Sequence, residues 1–182
     1  MALAIGLTSC VIALGYVMLG LLPMILFTFG FLGGLLVWLM SRAKPDWRAI
    51  RLPFFLTLAA FVLHKLEERY LDFFPALSRI TGVRPPETDS IFVYALYALA
   101  ATWLLIPVLV PRRADFGYYL AWTFFVSMGV IELAHFVFPL LTGGDYGYFP
   151  GMASAVILAP LGWWGMWRLA RGNVRPDRTS GA

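Results

Sequence analysis

Long apolar runs separated by short polar segments dominate the hydropathy pattern of the chain. Residues 2–41 carry no charged side chain and are interrupted only by Pro23. A bilayer core of ~30 Å takes about 20 apolar residues to cross as a helix. This first run is about twice that length, so it predicts two membrane-spanning helices, over about 3–21 and 24–41.

Further apolar runs follow along the rest of the chain. They predict spans over about 52–74, 91–110, 116–141 and 151–169. Pro53 falls in the first turn of the third span, where its missing N–H costs little, whereas Pro160 is expected to kink the last span. The pattern therefore predicts an all-α polytopic membrane bundle of about six transmembrane helices.

Lysine and arginine lie mainly at one end of such a six-helix bundle. The loops after the second and fourth spans and the tail after the last span hold Arg42, Lys44, Arg48, Arg51, Arg112, Arg113, Arg168, Arg171, Arg175 and Arg178. The opposite loops hold only two arginines, Arg79 and Arg84. Because basic loops stay in the cytoplasm, we expect both termini to be cytoplasmic, in a plasma or inner membrane.

The composition agrees with a membrane protein. Hydrophobic residues make up 60% of the chain and charged residues 13%, whereas soluble domains have about half and about a quarter. The net charge of +4 is spread over short loops, so we expect no nucleic-acid partner. Membrane lipids or a lipophilic small molecule are the expected partners.

Two of the predicted spans contain ionisable residues that membrane helices normally exclude. The third contains HKLEERY and the fifth contains IELAH. A charged side chain at the centre of a membrane helix costs ~2.5–3.5 kcal/mol even on insertion scales. The two histidines of the chain, His64 and His135, each have a glutamate three positions away, and residues at that spacing share a helix face.

The two polar groups are expected at similar depth. Both spans run outward in the predicted topology, and a helix rises about 1.5 Å per residue. His64 then lies ~12 Å and His135 ~9 Å before the outer end of its span. We therefore expect one intramembrane site, shared by the third and fifth helices and lying toward the extracytoplasmic side.

Imidazole and carboxylate groups together suit a divalent metal, zinc or iron. The candidate ligands are His64, Glu67, Glu68, Glu132 and His135. We expect His64, Glu67 and His135 to bind the metal, with Glu68 or Glu132 as a further ligand or as the catalytic general base. One metal is favoured over two, because a di-iron site of the usual kind needs more carboxylates than the spans provide.

The surroundings of the site are expected to be apolar. Phe, Tyr, Met and Leu side chains would wall it, which suits a lipophilic substrate such as an isoprenoid or an acyl lipid. The outer loop after the fifth span offers Asp145, Tyr146 and Tyr148 as candidates to line the mouth. Lys65 and Arg69 lie about 100° or more around the helix from His64 and are expected to snorkel toward the interface.

Other interpretations of these residues stay open. Glu68 can be solvated where the helix leaves the membrane, and Glu132 with His135 can form a hydrogen-bonded pair without metal. A metal-free His/Glu acid–base isomerase is a further alternative. Two histidines can also ligate haem b in an electron carrier, and intramembrane His and Glu can conduct protons or cations. Against transport, the polar residues gather at one depth.

Three short blocks resemble a family of small membrane proteins defined by an HXXEE motif. The blocks are FVLHKLEERY, an alanine–histidine pair two spans later, and YFPGMASAVILAPLGWW. The resemblance implies that His64, Glu67 and Glu68 are the motif residues and that His135 is the family's second histidine. It implies no particular reaction.

The resemblance also divides the chain. It covers about residues 52–170 and leaves the first two helices outside. We expect two N-terminal transmembrane helices over 1–45, a four-helix HXXEE-like membrane domain over 46–172 and a disordered tail over 173–182.

Overall fold

The computed structural model describes residues 1–41, 43–87 and 89–172, and over these residues it contains helices and no strands. The main helices are α1 (Ala2–Leu19), α2 (Leu21–Met40), α3 (Trp47–Tyr70), α4 (Phe73–Thr81), α5 (Ile91–Leu109), α6 (Asp115–Phe136) and α7 (Met152–Arg171). The predicted tail over 173–182 and the loop residue Arg42 lie outside the described residues. The predicted all-α class is confirmed.

Five helices of the described chain are long and apolar enough to cross a bilayer: α1, α2, α3, α5 and α6. They indicate a membrane protein. The sixth predicted span corresponds to α7, which has 20 residues and carries Arg168 and Arg171 in its last turn. These arginines lower its hydropathy, and α7 is not among the five. Six membrane crossings and cytoplasmic termini therefore stay predictions.

Two stretches differ from the predicted boundaries. The segment after α3, predicted as a polar loop, forms the short helix α4 after Asp72 turns the chain with a φ of 55°. The fifth span, predicted to reach residue 141, ends at Phe136. Pro139 explains this end, because it has no N–H to continue the i→i−3 hydrogen bonds of the last turn, a 3₁₀-helix over Ile131–Phe136.

Helix α6 lies at the centre of the bundle. In its most apolar window 72% of the residues are buried, against 17–33% in the other four apolar helices. The N-terminal helices pack directly on it: the Thr8 hydroxyl of α1 hydrogen-bonds the Tyr119 hydroxyl at 2.8 Å. In α2, Gly34 lies so close to the Thr123 backbone that a Cβ would sit 2.6 Å from the Thr123 Cα. This close contact holds α2 against the face of α6.

Candidate metal centre

His64 of α3 and His135 of α6 meet inside the bundle. Their side chains are 0% and 3% exposed, and their ring centroids are 4.7 Å apart with the planes at 85°. The third and fifth predicted spans therefore contribute to one buried polar site.

Two carboxylates complete this site. Oε1 of Glu68 lies 3.2 Å from Nε2 of His64 and 3.4 Å from Nε2 of His135. Oε2 of Glu132 lies 3.0 Å and 3.2 Å from the same two nitrogens. We call His64, Glu68, Glu132 and His135 the His/Glu cluster; all four are buried, and one ligand atom from each lies within 4.8 Å of the others.

These separations fit the size of a metal site. Ligand atoms about 2.0–2.2 Å from a zinc ion at tetrahedral corners are roughly 3.3–3.6 Å apart. The nitrogen–oxygen distances of 3.0–3.4 Å in the cluster are close to that range. Four of the six separations between ligand atoms therefore match a site for one ion, and the other two lie within 4.8 Å.

Local helix geometry aligns each pair of ligands. On α3, His64 and Glu68 are four residues apart and so share a face of the α-helix. The last six residues of α6, Ile131–Phe136, wind more tightly as a 3₁₀-helix. With three residues per turn, residues three apart are eclipsed, which places Glu132 and His135 directly above one another. The 3₁₀ turn thus directs both side chains toward the cluster.

A backbone carbonyl orients the His135 ring. Nδ1 of His135 lies 2.6 Å from the carbonyl oxygen of Pro150, which can only accept, so Nδ1 carries the hydrogen. In the neutral ring Nε2 then carries a lone pair, and this atom faces Glu68 and Glu132. A ligand histidine held through its second nitrogen is the usual arrangement in metalloproteins.

The His64 ring is oriented in the same sense by Ser154. Nδ1 of His64 lies 2.8 Å from the Ser154 hydroxyl, and this hydroxyl donates its hydrogen to Glu67. The serine oxygen therefore accepts from Nδ1, which leaves a lone pair on Nε2. Among the described residues, this buried nitrogen has no hydrogen-bond partner. Two lone pairs and two carboxylates thus face one point, a donor set that fits a cation.

Glu67 lies outside the His/Glu cluster, so its predicted role as a metal ligand is corrected. Its carboxylate accepts hydrogen bonds from the backbone amides of Gly151, Ala153 and Ser154 at 2.9, 3.2 and 2.8 Å. The hydroxyls of Ser154 and Tyr148 also donate to it. The first turn of a helix has unpaired N–H groups and attracts a negative charge. This attraction directs Glu67 to the start of α7 instead.

Lys65 lies at the cluster and not in the predicted interfacial position. Its Nζ atom is 2.5 Å from Oε2 of Glu68 and 5.3 Å from the centre of the Phe61 ring. The carboxylate, buried nearby, attracts the ammonium inward. The angle from His64 alone indicated the interface, but Lys65 and Glu68 are three residues apart, a spacing at which side chains meet on a helix.

An open cavity of about 700 Å³ adjoins the cluster. Glu68, Glu132 and His135 form part of its wall, together with Lys65 and Arg69. Most of the remaining wall is apolar, and a large part of it comes from α1, α2 and α5, including Val11, Leu26, Phe27, Phe31, Leu96 and Trp103. The sequence contained no signal for this contribution, since the first two helices carry no charged residue.

The predicted mouth residues do not line this cavity. Asp145, Tyr146 and Tyr148 are absent from its wall. The Tyr146 hydroxyl donates to the Phe136 carbonyl at 3.1 Å, which fixes the loop to the end of α6. Burial, together with the Glu67 carboxylate, raises the pKa of Tyr148, so its hydroxyl remains a donor to Glu67. Asp145 lies exposed in the same loop.

Comparison with known proteins identifies one family. A family model described as "Protein of unknown function with HXXEE motif" matches residues 55–165, a range that includes the motif residues His64, Glu67 and Glu68 and the second histidine, His135. No curated protein and no solved structure matches the chain. Because the match covers more than half of its residues, the chain belongs to the family of proteins with an HXXEE motif.

Proposed function

We propose that the protein is an integral membrane, metal-dependent enzyme that acts on a lipophilic substrate. The observation that carries this proposal is the convergence of two imidazole nitrogens and two carboxylate oxygens, buried within 4.8 Å of one another on the wall of a cavity. A zinc or iron ion bound there would supply Lewis-acid chemistry.

The four residues of the cluster would have two different roles, metal binding and general base. His64 and His135 would hold the ion through Nε2, and Glu68 through Oε1, because the other oxygen of Glu68 is bonded to Lys65. In the described part of the chain, no hydrogen bond is recorded for the second oxygen of Glu132. Glu132 is therefore the better general base, able to take a proton from a substrate or water in the cavity.

A lipophilic substrate follows from the surroundings of the cluster. The cavity lies among helices that are apolar enough to cross a membrane, and its wall is mainly aliphatic and aromatic. Such pockets bind apolar molecules and orient them through a few polar groups. With the termini in the cytoplasm, the cluster would face the extracytoplasmic half of the bilayer.

A metal-free His/Glu acid–base isomerase is the second candidate. The nitrogen–oxygen distances of 3.0–3.4 Å also suit hydrogen bonds from protonated imidazoles to carboxylates. Haem b is disfavoured, because the two rings lie 4.7 Å apart with both carboxylates beside their Nε2 atoms. A porphyrin has no room between them.

Lipid turnover tests the enzyme and separates the two candidates. Purified protein in vesicles made from a total membrane lipid extract would be incubated with zinc, with iron or with a chelator, and the lipids compared by mass spectrometry. We expect metal-dependent conversion of a lipid by the wild type and by Tyr146→Phe, a loop control, but not by His135→Ala. Conversion that persists with chelator would favour the isomerase. A lipid composition unchanged under every condition would contradict the proposed enzyme.

A further inference from the structure

Lys65 places a positive charge at the boundary between the cluster and the cavity. An ammonium group has three hydrogens to donate. One hydrogen serves Oε2 of Glu68 at 2.5 Å, and the nitrogen lies 5.3 Å from the Phe61 ring centre. Among the described residues, Lys65 has no other ion-pair partner, and its side chain forms part of the cavity wall. At least one donor is therefore available to a molecule in the cavity.

The charges around the cluster favour an anionic group. Glu68 and Glu132 together carry two negative charges, which one divalent ion balances, and Lys65 then leaves a net charge of one positive. The other charged residues of the cavity wall are two cations and two anions, Arg69, Arg84, Asp72 and Glu87, and their charges cancel. With a divalent ion bound, the net field at the cluster would therefore attract a negatively charged head.

The rest of the cavity suits an apolar chain. Its volume of about 700 Å³ lies within the range of about 300–1,000 Å³ typical of pockets for small molecules. Phe27 and Phe31 of α2, with Leu96 and Trp103 of α5, contribute apolar side chains to its wall, whereas the cluster and Lys65 contribute polar ones. A molecule with one charged end and one long hydrocarbon end matches this division.

We infer that the cavity binds an acyl lipid with a free carboxylate head, and that Lys65 recognises the carboxylate. The acyl chain lies along the apolar wall formed by α1, α2 and α5. The inference rests on the proposed metal-dependent function, because the ion balances the two glutamates. It makes Lys65 the residue that determines specificity for the head group.

A displacement assay with matched lipids tests this inference. Oleic acid, oleyl alcohol and oleylamine share one hydrocarbon chain and differ in the head. Each would displace a fluorescent fatty acid from detergent-purified protein whose metal content is measured on the same sample. We expect oleic acid to bind about tenfold more tightly than oleyl alcohol, as a charge-assisted hydrogen bond provides, and oleylamine to bind most weakly.

Variants of Lys65 test whether this residue causes the preference for the acid over the alcohol. Lys65→Met is expected to bring the acid and the alcohol to similar affinity, whereas Lys65→Arg keeps most of the preference. Arg79→Met is the matched control, since Arg79 does not line the cavity, and it should behave as the wild type. If Lys65→Met does not fold, the comparison of the three lipids in the wild type and in Lys65→Arg still tests the preference for a carboxylate head.

The outcomes separate this inference from the proposed function. Equal binding of acid and alcohol by metal-loaded wild type would overturn the carboxylate specificity, and an unchanged preference in Lys65→Met would overturn the role of Lys65. Protein without metal would count against the metalloenzyme and, because the two glutamates would then outweigh Lys65, against the charge balance on which the inference rests. A preference for the acid in such a sample that is lost in Lys65→Met would show that Lys65 recognises the carboxylate without the ion.

Discussion

Glu67 accepts two hydrogen bonds from Ser154, one from the backbone amide at 2.8 Å and one from the hydroxyl. The same hydroxyl accepts the Nδ1 hydrogen of His64 at 2.8 Å. The two glutamates of the HXXEE motif therefore have different tasks. Glu68 faces the second histidine, whereas Glu67 joins α3 to the start of α7 and orients His64 from behind.

Glu67→Gln is expected to weaken metal binding without abolishing it. The glutamine amide would lack the negative charge that now accepts hydrogen bonds from three backbone N–H groups and two hydroxyls. Ser154 would therefore hold the His64 ring less firmly. Changes of this kind around metal ligands cost about 10–100-fold in affinity. Titration against a chromophoric chelator measures the effect. Asp145→Asn, in the exposed loop after α6 and outside the cavity wall, is the control and should leave the affinity of the site unchanged.

The size of the Glu67→Gln effect distinguishes a positioning residue from a ligand. Full occupancy at high metal concentration, with reduced affinity, is the expected result. A folded variant that binds no metal at any concentration would make Glu67 a ligand and contradict its assignment to α7.

Gly151→Ala is expected to destroy the site as well as destabilise the protein. Gly151 has a φ of +98°, and a Cβ there would lie 2.8 Å from Cε1 of His64 and closer still to the His135 ring. The backbone strain alone costs about 1–3 kcal/mol, and both rings would have to move. Metal content and the thermal unfolding temperature in detergent measure the two effects.

Gly143→Ala separates backbone strain from the steric effect. Gly143 also has a positive φ, +75°, but a Cβ there meets nothing within 4 Å. This control should lose stability yet keep its metal. If Gly151→Ala also kept full metal binding, the described approach of the 150–151 segment to the two histidines would be wrong.

Gly34→Ala is expected to separate α2 from α6. The added Cβ would lie 2.6 Å from the Cα of Thr123, a backbone atom that cannot move aside, and overpacking of this kind costs about 1–3 kcal/mol. The neighbouring Gly33→Ala is the matched control, because its Cβ has only ordinary contact with Val126 at 3.8 Å. Unfolding by a denaturing detergent measures both. Equal stability of the two variants would contradict the packing of α2 on α6.

The sequence predicted the helices and the meeting of α3 with α6 because both leave strong signals. Apolar runs of sufficient length can only be helical in a bilayer, and charged residues in such runs need a partner. His64 and His135 were therefore identifiable as neighbours from their similar predicted depths. The Pro139 break shortened α6 without moving either residue out of the site.

The sequence did not indicate in the same way that Glu67 and Glu68 have different roles. Glu67 and Glu68 are adjacent on a helix, about 100° apart at 3.6 residues per turn, and either could have faced His135. The partners of Glu67 are mainly backbone N–H groups of α7, which every sequence provides. Lys65 was misplaced because its direction depends on its partner Glu68 and on a cavity formed in part by helices that carry no charged residue.

Metal content measured by mass spectrometry, on protein purified in detergent without chelator, tests the central claim most directly. We expect about one zinc or iron ion per chain in the wild type, as a single metal site provides, and loss of the ion in both His64→Ala and His135→Ala. Asp145→Asn, in the exposed loop after α6, should retain it. Metal-free wild-type protein, or an ion that remains in both histidine variants, would contradict a metal centre in the His/Glu cluster.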